Sequence, residues 1–176
     1  MPVFFGDERK YNTKEKLSML LYRVHDDNMA LISSLVKDFK KQNNLSLKLE
    51  LHFYDNTRIV NKLFSDFIIE KLLLTAMIEK IYHVQVPLLP EPASHILALQ
   101  EMIIGVAIDL DGLPAQFVID KLGGKNSETE IKTQFGRLCR HHNIKLKKTL
   151  VCEDSSKSEF IQIADYLVAM KDKNII

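Results

Sequence analysis

The stretch SEFIQIADYLVA, residues Ser158–Ala169, predicts an amphipathic helix near the end of the chain. Apolar residues recur at spacings of three and four and form one wide face: Phe160, Ile163, Leu167 and Met170, flanked by Ile161, Ala164 and Val168. Asp165 falls inside this apolar stripe. A carboxylate there is costly to desolvate unless something compensates its charge. Two interpretations stay open: an Asp at the edge of the stripe that reaches water or an arginine, and an Asp that belongs to a charged site.

The rest of the chain alternates short apolar runs with helical periodicity. We predict strands at 2–5, 17–24, 71–80, 115–120 and 145–152, and helices at 29–42, 58–67, 95–108 and 128–142. Residues 45–53 alternate strictly between leucine or phenylalanine and polar residues, as a strand or an extended entry to the next helix would. The order of elements predicts an α/β fold with a partly parallel sheet. Because we find neither repeats nor a boundary, we expect one domain over 1–176.

Composition narrows the functional class. Apolar residues make up 46% of the 176, which is enough for a full core, and the formal net charge is +1. That balance gives no global attraction for nucleic acid and leaves room only for a local basic face. Cys139 and Cys152 lack metal-type spacing, so a reduced, cytoplasmic chain is expected. We expect neither a signal peptide nor a membrane span, since the most apolar run, 67–78, contains Glu70 and Lys71.

Carboxylates follow two of the predicted strands. Asp7 and Glu8 close the first strand, Asp120 closes the fourth, and Glu50 lies on the polar side of the alternating segment. In open α/β sheets, sites gather at the carboxyl ends of strands. Converging carboxylates would repel one another by roughly 4 kcal/mol per pair at about 4 Å and an effective dielectric near 20. An all-oxygen set of this kind selects Mg²⁺ or Mn²⁺, although carboxylates at strand ends also serve as simple caps.

Four short motifs carry a resemblance to a known family. They are the opening VFFGDER (Val3–Arg9), ELHF (Glu50–Phe53) followed by Arg58 on a helix, FVID (Phe117–Asp120), and a closing Asp154-Ser155 pair with IQIAD (Ile161–Asp165). In this order, and over nearly the whole chain, the sequence resembles the domain of unknown function 3800 family, an RNase H-like group. The resemblance implies an RNase H-like mixed sheet of about five strands with helices on both faces. Arg9-Lys10 departs from the family's Ser-Gly, and His52 stands where Lys is usual.

The same resemblance implies a nuclease-like activity, the metal-dependent hydrolysis of a nucleic-acid or nucleotide phosphodiester with two Mg²⁺ or Mn²⁺ ions. Two ions about 3.5–4 Å apart would clamp the attacking and leaving oxygens. The implied catalytic and metal-binding residues are Asp7, Glu50, Asp120 and Asp165, with Glu8 as a further metal ligand and Asp154 and His52 as residues that support the ligands.

A basic stretch near the C-terminus suggests a nucleic-acid contact, or else a solvated face. It contains Arg137, Arg140, Lys145 and Lys147. Two other functions stay open. Arg9-Lys10 and the near-neutral charge favour a non-catalytic binding or regulatory protein on the same fold, acting in host or defence interactions. A small-nucleotide phosphodiesterase is the third class, and homo-oligomerisation is left open.

Overall fold

Five strands form one mixed sheet in the computed structural model, which describes residues 1–11, 15–121 and 124–176. The strands are β1 (Pro2–Tyr11), β2 (Lys16–His25), β3 (Ile78–Pro87), β4 (Gln116–Asp120) and β5 (Val151–Glu153), in the spatial order β3-β2-β1-β4-β5. β1, β2 and β3 pair antiparallel, and β1, β4 and β5 pair parallel. The predicted α/β class and five-stranded mixed sheet are therefore confirmed.

Helices cover both faces of the sheet, as expected. They are α1 (Asp26–Gln42), α2 (Arg58–Phe67), α3 (Ala93–Leu110), α4 (Lys125–His141) and α5 (Glu159–Asp172). Because side chains alternate along a strand, Phe5 faces the core formed with α1, α2 and α5, whereas Phe4 faces the core formed with α3 and α4. The sheet thus separates two hydrophobic layers.

The C-terminal helix α5 is the main helix against β1. The ring of Phe160 stacks on Phe5 with centroids 4.6 Å apart, and the Tyr22 hydroxyl donates to the Phe160 carbonyl oxygen at 2.8 Å. Leu167 is fully buried. Burial of each such apolar side chain contributes about 1.5–3 kcal/mol, so this packing fixes the helix firmly on the sheet.

Several predicted elements differ from the structure. β1 continues past Phe5 to Tyr11, because it pairs with β2 over its whole length. Residues 45–53 form turns and loop, and Leu47 is 54% exposed. The strand predicted at 71–80 is wrong for its first half, where a π-helical turn (Ile68–Leu73) extends α2 and buries Leu72 in the core; β3 begins only at Ile78. The last strand is shortened to Val151–Glu153.

Among the described residues, one helix has the length and composition of a membrane span. It is α3, whose 18 residues have a mean hydropathy of 1.4. In this structure α3 packs against β2 and β3, and Ala98, Met102 and Val106 lie in the core. On the other side of the helix, Ile104 and Ile108 are 52% and 74% exposed.

Candidate functional site

Two aspartates meet at the edge where β1 and β4 stop pairing. The parallel ladder between these strands ends at the pair Gly6 and Ile119, so Asp7 and Asp120 are the next residues on each strand. By alternation both lie on the α5 side, since Phe5 and Val118 also face that core. Asp7 is only 6% exposed. The strand order therefore places two carboxylates side by side on the face of the sheet that α5 covers.

The loop before α2 brings a third carboxylate, Glu50, to the same edge. Two polar side chains of α5, one turn apart, hold this loop: the Gln162 oxygen accepts from the Leu51 backbone N–H at 3.2 Å, and Asp165 Oδ2 accepts from the Phe53 N–H at 2.7 Å. Asp165, the anomalous residue in the apolar stripe, thus fixes the loop and also faces the strand edge.

Two residues, Ser155 and His52, bridge the carboxylates. Ser155 donates its backbone N–H to Asp120 Oδ1 at 3.2 Å and its hydroxyl to Glu50 Oε1 at 2.7 Å. His52 lies with Nε2 2.6 Å from Glu50 Oε1 and with Nδ1 3.5 Å from Asp165 Oδ2. Glu50, Asp120 and Asp165 are therefore connected in one network around the buried Asp7.

The electrostatics of this network are those of crowded negative charge. Burial raises the pKa of Asp7 well above its usual range, and the charges of Glu8, Asp165 and Asp120 raise it further. Burial also raises the pKa of Asp120 to about 6, against the opposing effect of the Lys121 backbone N–H. Both shifts favour a proton, or another positive charge, on these carboxylates.

His52 supplies the local positive charge. Hydrogen bonding to Asp165 is the main cause that raises the pKa of His52 to about 9, with a further contribution from Glu50 and an opposing one from burial. The imidazole is therefore protonated at neutral pH, and the imidazolium lies between Glu50 and Asp165.

In the described structure, the side chains of two other predicted site residues form no hydrogen bond with this network. Glu8 points to the opposite face of the sheet, where its Oε1 is 3.2 Å from Nε2 of the buried His95, outside hydrogen-bonding geometry. Asp154 caps its own turn, accepting from the Ser156 backbone N–H at 3.0 Å. Glu8 acts on the site through its charge, and Asp154 precedes the bridging Ser155.

The oxygens of the predicted metal ligands are not drawn tightly together. Within the described ranges, the group of three potential ligand atoms that lie within 4.8 Å of one another is His25, Asp26 and Asp27. Those residues form the N-cap and first turn of α1, and Asp26 already contacts the Met1 ammonium, so we assign them to capping of this helix. Mutual repulsion opposes a closer approach of the predicted ligands.

The predicted basic stretch lies at the other end of β4. The Ala115 N–H donates to the Lys145 carbonyl, and the Lys147 N–H donates to the Ala115 carbonyl, both at 2.9 Å. Ala115 precedes β4, whereas Asp120 ends it, so the five-residue strand separates these lysines from the carboxylates by about 15 Å. Arg137 and Arg140 lie in the last turns of α4, close in the chain to Lys145. This basic face is thus remote from Asp7, Glu50, Asp120 and Asp165, which together form what we call the carboxylate edge.

Sequence reasoning missed three residues near the site. Ser155 bridges two carboxylates, and Gln162 holds the loop and donates from Nε2 to the Ser155 carbonyl at 2.9 Å. Gln162 carried a usable signal, because a second polar residue in the apolar stripe lies three positions before Asp165 and shares its face. Arg9 is 6% exposed and stacks over Tyr54. Its orientation depends on the length of β1, which the sequence pattern had underestimated.

No family model matches the chain, and no curated protein matches its sequence. The chain is similar to a chain in the structure of the PCNA:RNase HII complex from Archaeoglobus fulgidus, with 12% sequence identity and a TM-score of 0.47. The match covers 99% of this chain and 74% of that chain.

Proposed function

We propose that the chain is a metal-dependent phosphodiester hydrolase that acts on nucleic acid. The observation that carries the proposal is Asp7, a nearly fully buried carboxylate whose pKa is raised first by burial and further by the charges of three other carboxylates. A protein that keeps such repulsion in one place gains from a divalent cation there. Oxygen donors in this number suit Mg²⁺ or Mn²⁺ better than zinc or copper.

Some residues of the site would bind the metal ions, and others would orient those ligands. Asp7, Glu50, Asp120 and Asp165 would hold two ions, which when bound would neutralise the phosphate and lower the pKa of an attacking water. The Glu8 N–H fixes Asp7 Oδ1 at 2.7 Å. The backbone N–H groups of Lys121 and Ser155 orient Asp120.

One observation favours the second candidate, a non-catalytic binding protein on the same fold. The protonated His52 already places a cation between Glu50 and Asp165, and it would compete with a metal ion for both oxygens. By contrast, Arg9 does not support this alternative. Among the described residues, its guanidinium stacks on Tyr54 and forms no ion pair with the four carboxylates.

The decisive experiment is a cleavage assay on labelled single-stranded and duplex DNA and RNA and on cyclic nucleotides. Mg²⁺ or Mn²⁺ should support cleavage, Ca²⁺ should bind but support it poorly because of its looser coordination, and chelator should abolish it. Asp120→Asn should lower the rate by roughly 100-fold or more. Asp38→Asn, an exposed change of the same chemistry on α1, is the matched control.

Activity that survives Asp120→Asn or excess chelator would come from a contaminant. If no substrate is cleaved with any metal while the protein still binds nucleic acid, the non-catalytic candidate is correct. Cleavage confined to cyclic nucleotides would identify the small-nucleotide phosphodiesterase.

A further inference from the structure

A cleft of about 540 Å³ lies beside the carboxylate edge, between the loop before α2, α2 itself and the end of the chain. Phe53 joins the two places, because its backbone N–H donates to Asp165 while its side chain lines the cleft. A chain of linked groups bound at the carboxylates could therefore continue directly into this cleft.

The cleft combines an exposed aromatic ring with positive charge. Tyr54 is 64% exposed, and Arg58, Lys62 and Lys173 also line the cleft. Lys62 pairs with Asp66 at 2.7 Å, and Lys173 Nζ lies 4.3 Å from the centroid of the Phe53 ring. Cations beside aromatic rings are the means by which proteins hold unpaired nucleotides, since every base has a face that stacks and every linkage carries a negative charge.

A buried arginine supports the ring from below. The Arg9 guanidinium carbon lies 3.8 Å from the Tyr54 ring centroid, and 6% of Arg9 is exposed. Its Nη1 and Nη2 atoms have no hydrogen-bond partner among the described residues. Buried guanidinium donors are rarely left unpaired, because each unmade bond costs free energy. The guanidinium lies over the rings of both Phe53 and Tyr54, so its positive charge stays close to the aromatic residues of the cleft.

A hydrogen-bond network holds the wall in shape. Asn61 donates from Nδ2 to the Phe53 carbonyl at 2.5 Å and accepts from the Tyr166 hydroxyl at 2.6 Å. Asn56 Nδ2 donates to the His52 carbonyl at 2.7 Å. The loop that carries Glu50 and His52 on one side and Tyr54 on the other is thus anchored to both α2 and α5.

We infer that this cleft binds an unpaired nucleotide that flanks the bond cut at the carboxylates, so that the substrate class is single-stranded nucleic acid or a single-stranded end. The base stacks on the exposed face of Tyr54, and the adjoining phosphates contact Arg58 and Lys173. The inference rests on the proposed function for its choice of ligand. A base held in a duplex could not reach the ring, so duplexes without an unpaired end should bind more weakly.

The test is fluorescence anisotropy with labelled single-stranded DNA and RNA of about 12 nucleotides, and with blunt duplexes of the same sequence. The full chain carrying Asp120→Asn is used in chelator, so that no cleavage occurs. Tyr54→Ala should weaken single-strand binding by roughly 5- to 150-fold, and Tyr54→Phe should restore it. Arg58→Ala and Lys173→Ala should each reduce the salt slope by about 0.7. Lys37→Ala, at an exposed lysine of α1 that does not line the cleft, is the matched control and should change neither quantity.

The outcomes separate this inference from the proposed function. If the parent protein cleaves nucleic acid but Tyr54→Ala binds single strands as well as the parent does, the cleft inference is wrong and the hydrolase stands. If nothing is cleaved but Tyr54→Ala loses binding and Tyr54→Phe keeps it, the cleft inference stands alone. Equal affinity for blunt duplex, or for a mononucleotide, overturns the assignment to single strands. A larger loss from Arg137→Ala than from Lys173→Ala would move the nucleic-acid contact to the remote face.

Discussion

Asp7→Asn is the change that most directly tests whether repulsion is stored at the carboxylate edge. Asparagine keeps the oxygen that accepts from the Glu8 N–H and removes the charge that faces Glu8, Asp120 and Asp165. A like-charged pair at about 4–8 Å and an effective dielectric near 20 costs roughly 2–4 kcal/mol. Because the raised pKa lets Asp7 carry a proton part of the time, we expect a net gain of only about 1–3 kcal/mol without metal.

The gain has a definite pH dependence. A carboxyl whose pKa is higher in the folded state binds more protons when folded, so its ionisation lowers stability as pH rises above its usual range and through the raised pKa. The advantage of Asp7→Asn over the parent should therefore grow as pH rises and vanish in acid. For a chain of 176 residues, about 1–3 kcal/mol corresponds to roughly 2–12 °C in melting temperature.

The assay is thermal unfolding followed by circular dichroism at several pH values, in chelator and then in Mn²⁺. At a Mn²⁺ concentration about 100 times its Kd, the parent should gain about 2.7 kcal/mol, and Asp7→Asn should lose most of that gain. Asp38→Asn serves as the control for the loss of one exposed carboxylate. The reasoning is refuted if Asp7→Asn melts below the control in chelator, or if it keeps the full Mn²⁺ shift of the parent.

Three further substitutions test the residues that hold the carboxylate edge in place. A Cβ added at Gly6 would lie 2.7 Å from the Leu20 carbonyl oxygen, so Gly6→Ala should destabilise the fold by about 1–3 kcal/mol in denaturant titrations; no loss would show that β1 and β2 separate easily. The pKa of His52 is raised to about 9, so its contribution is complete below about 6.5 and is lost as pH rises through 9. In chelator, the fall in melting temperature over that range should therefore shrink in His52→Gln and persist in His141→Gln. Gln162→Ala leaves a backbone donor of the loop unpaired and should cost about 1–3 kcal/mol; hydrogen exchange should report opening of residues 50–53, and unchanged protection there would contradict this role.

The parts of the fold that the sequence predicted well are those whose pattern is complete over a short range. The apolar stripe around Asp165 contains more than two helical turns, and the helix lies where its spacing indicates. The same pattern failed for residues 45–53, because the partners there are distant in the chain. Lys40 Nζ donates to the Leu49 carbonyl at 2.7 Å, and side chains of α5 accept from the N–H groups of Leu51 and Phe53. The N–H groups of Leu45 and Leu49 donate to the carbonyls of Lys40 and Ser46, so these backbone bonds go to side chains and local turns and not to a neighbouring strand.

In the site, too, some features follow from local sequence and others depend on residues that are distant in the chain. Asp7 and Asp120 lie side by side because β1 and β4 are parallel neighbours whose pairing ends one residue earlier. The order of the strands decides this, and local sequence does not. That Glu8 faces away follows from strand alternation alone, once β1 is known to extend beyond it. The role of Arg9 could not be read from the chain, since Tyr54, which it contacts, comes from a loop whose path depends on α5.

The consecutive residues Asp7 and Glu8 show that a charge on one face of this sheet affects carboxyl groups on the other face. The two side chains point into different layers of the protein, yet the charge of Glu8 raises the pKa of both Asp7 and Asp120 through a single layer of backbone. His95 of α3 lies 3.2 Å from Glu8 on the side of the sheet away from α5. Removing the Glu8 charge, by Glu8→Gln, should therefore lower the pKa of Asp7 and Asp120 on the other side of the sheet.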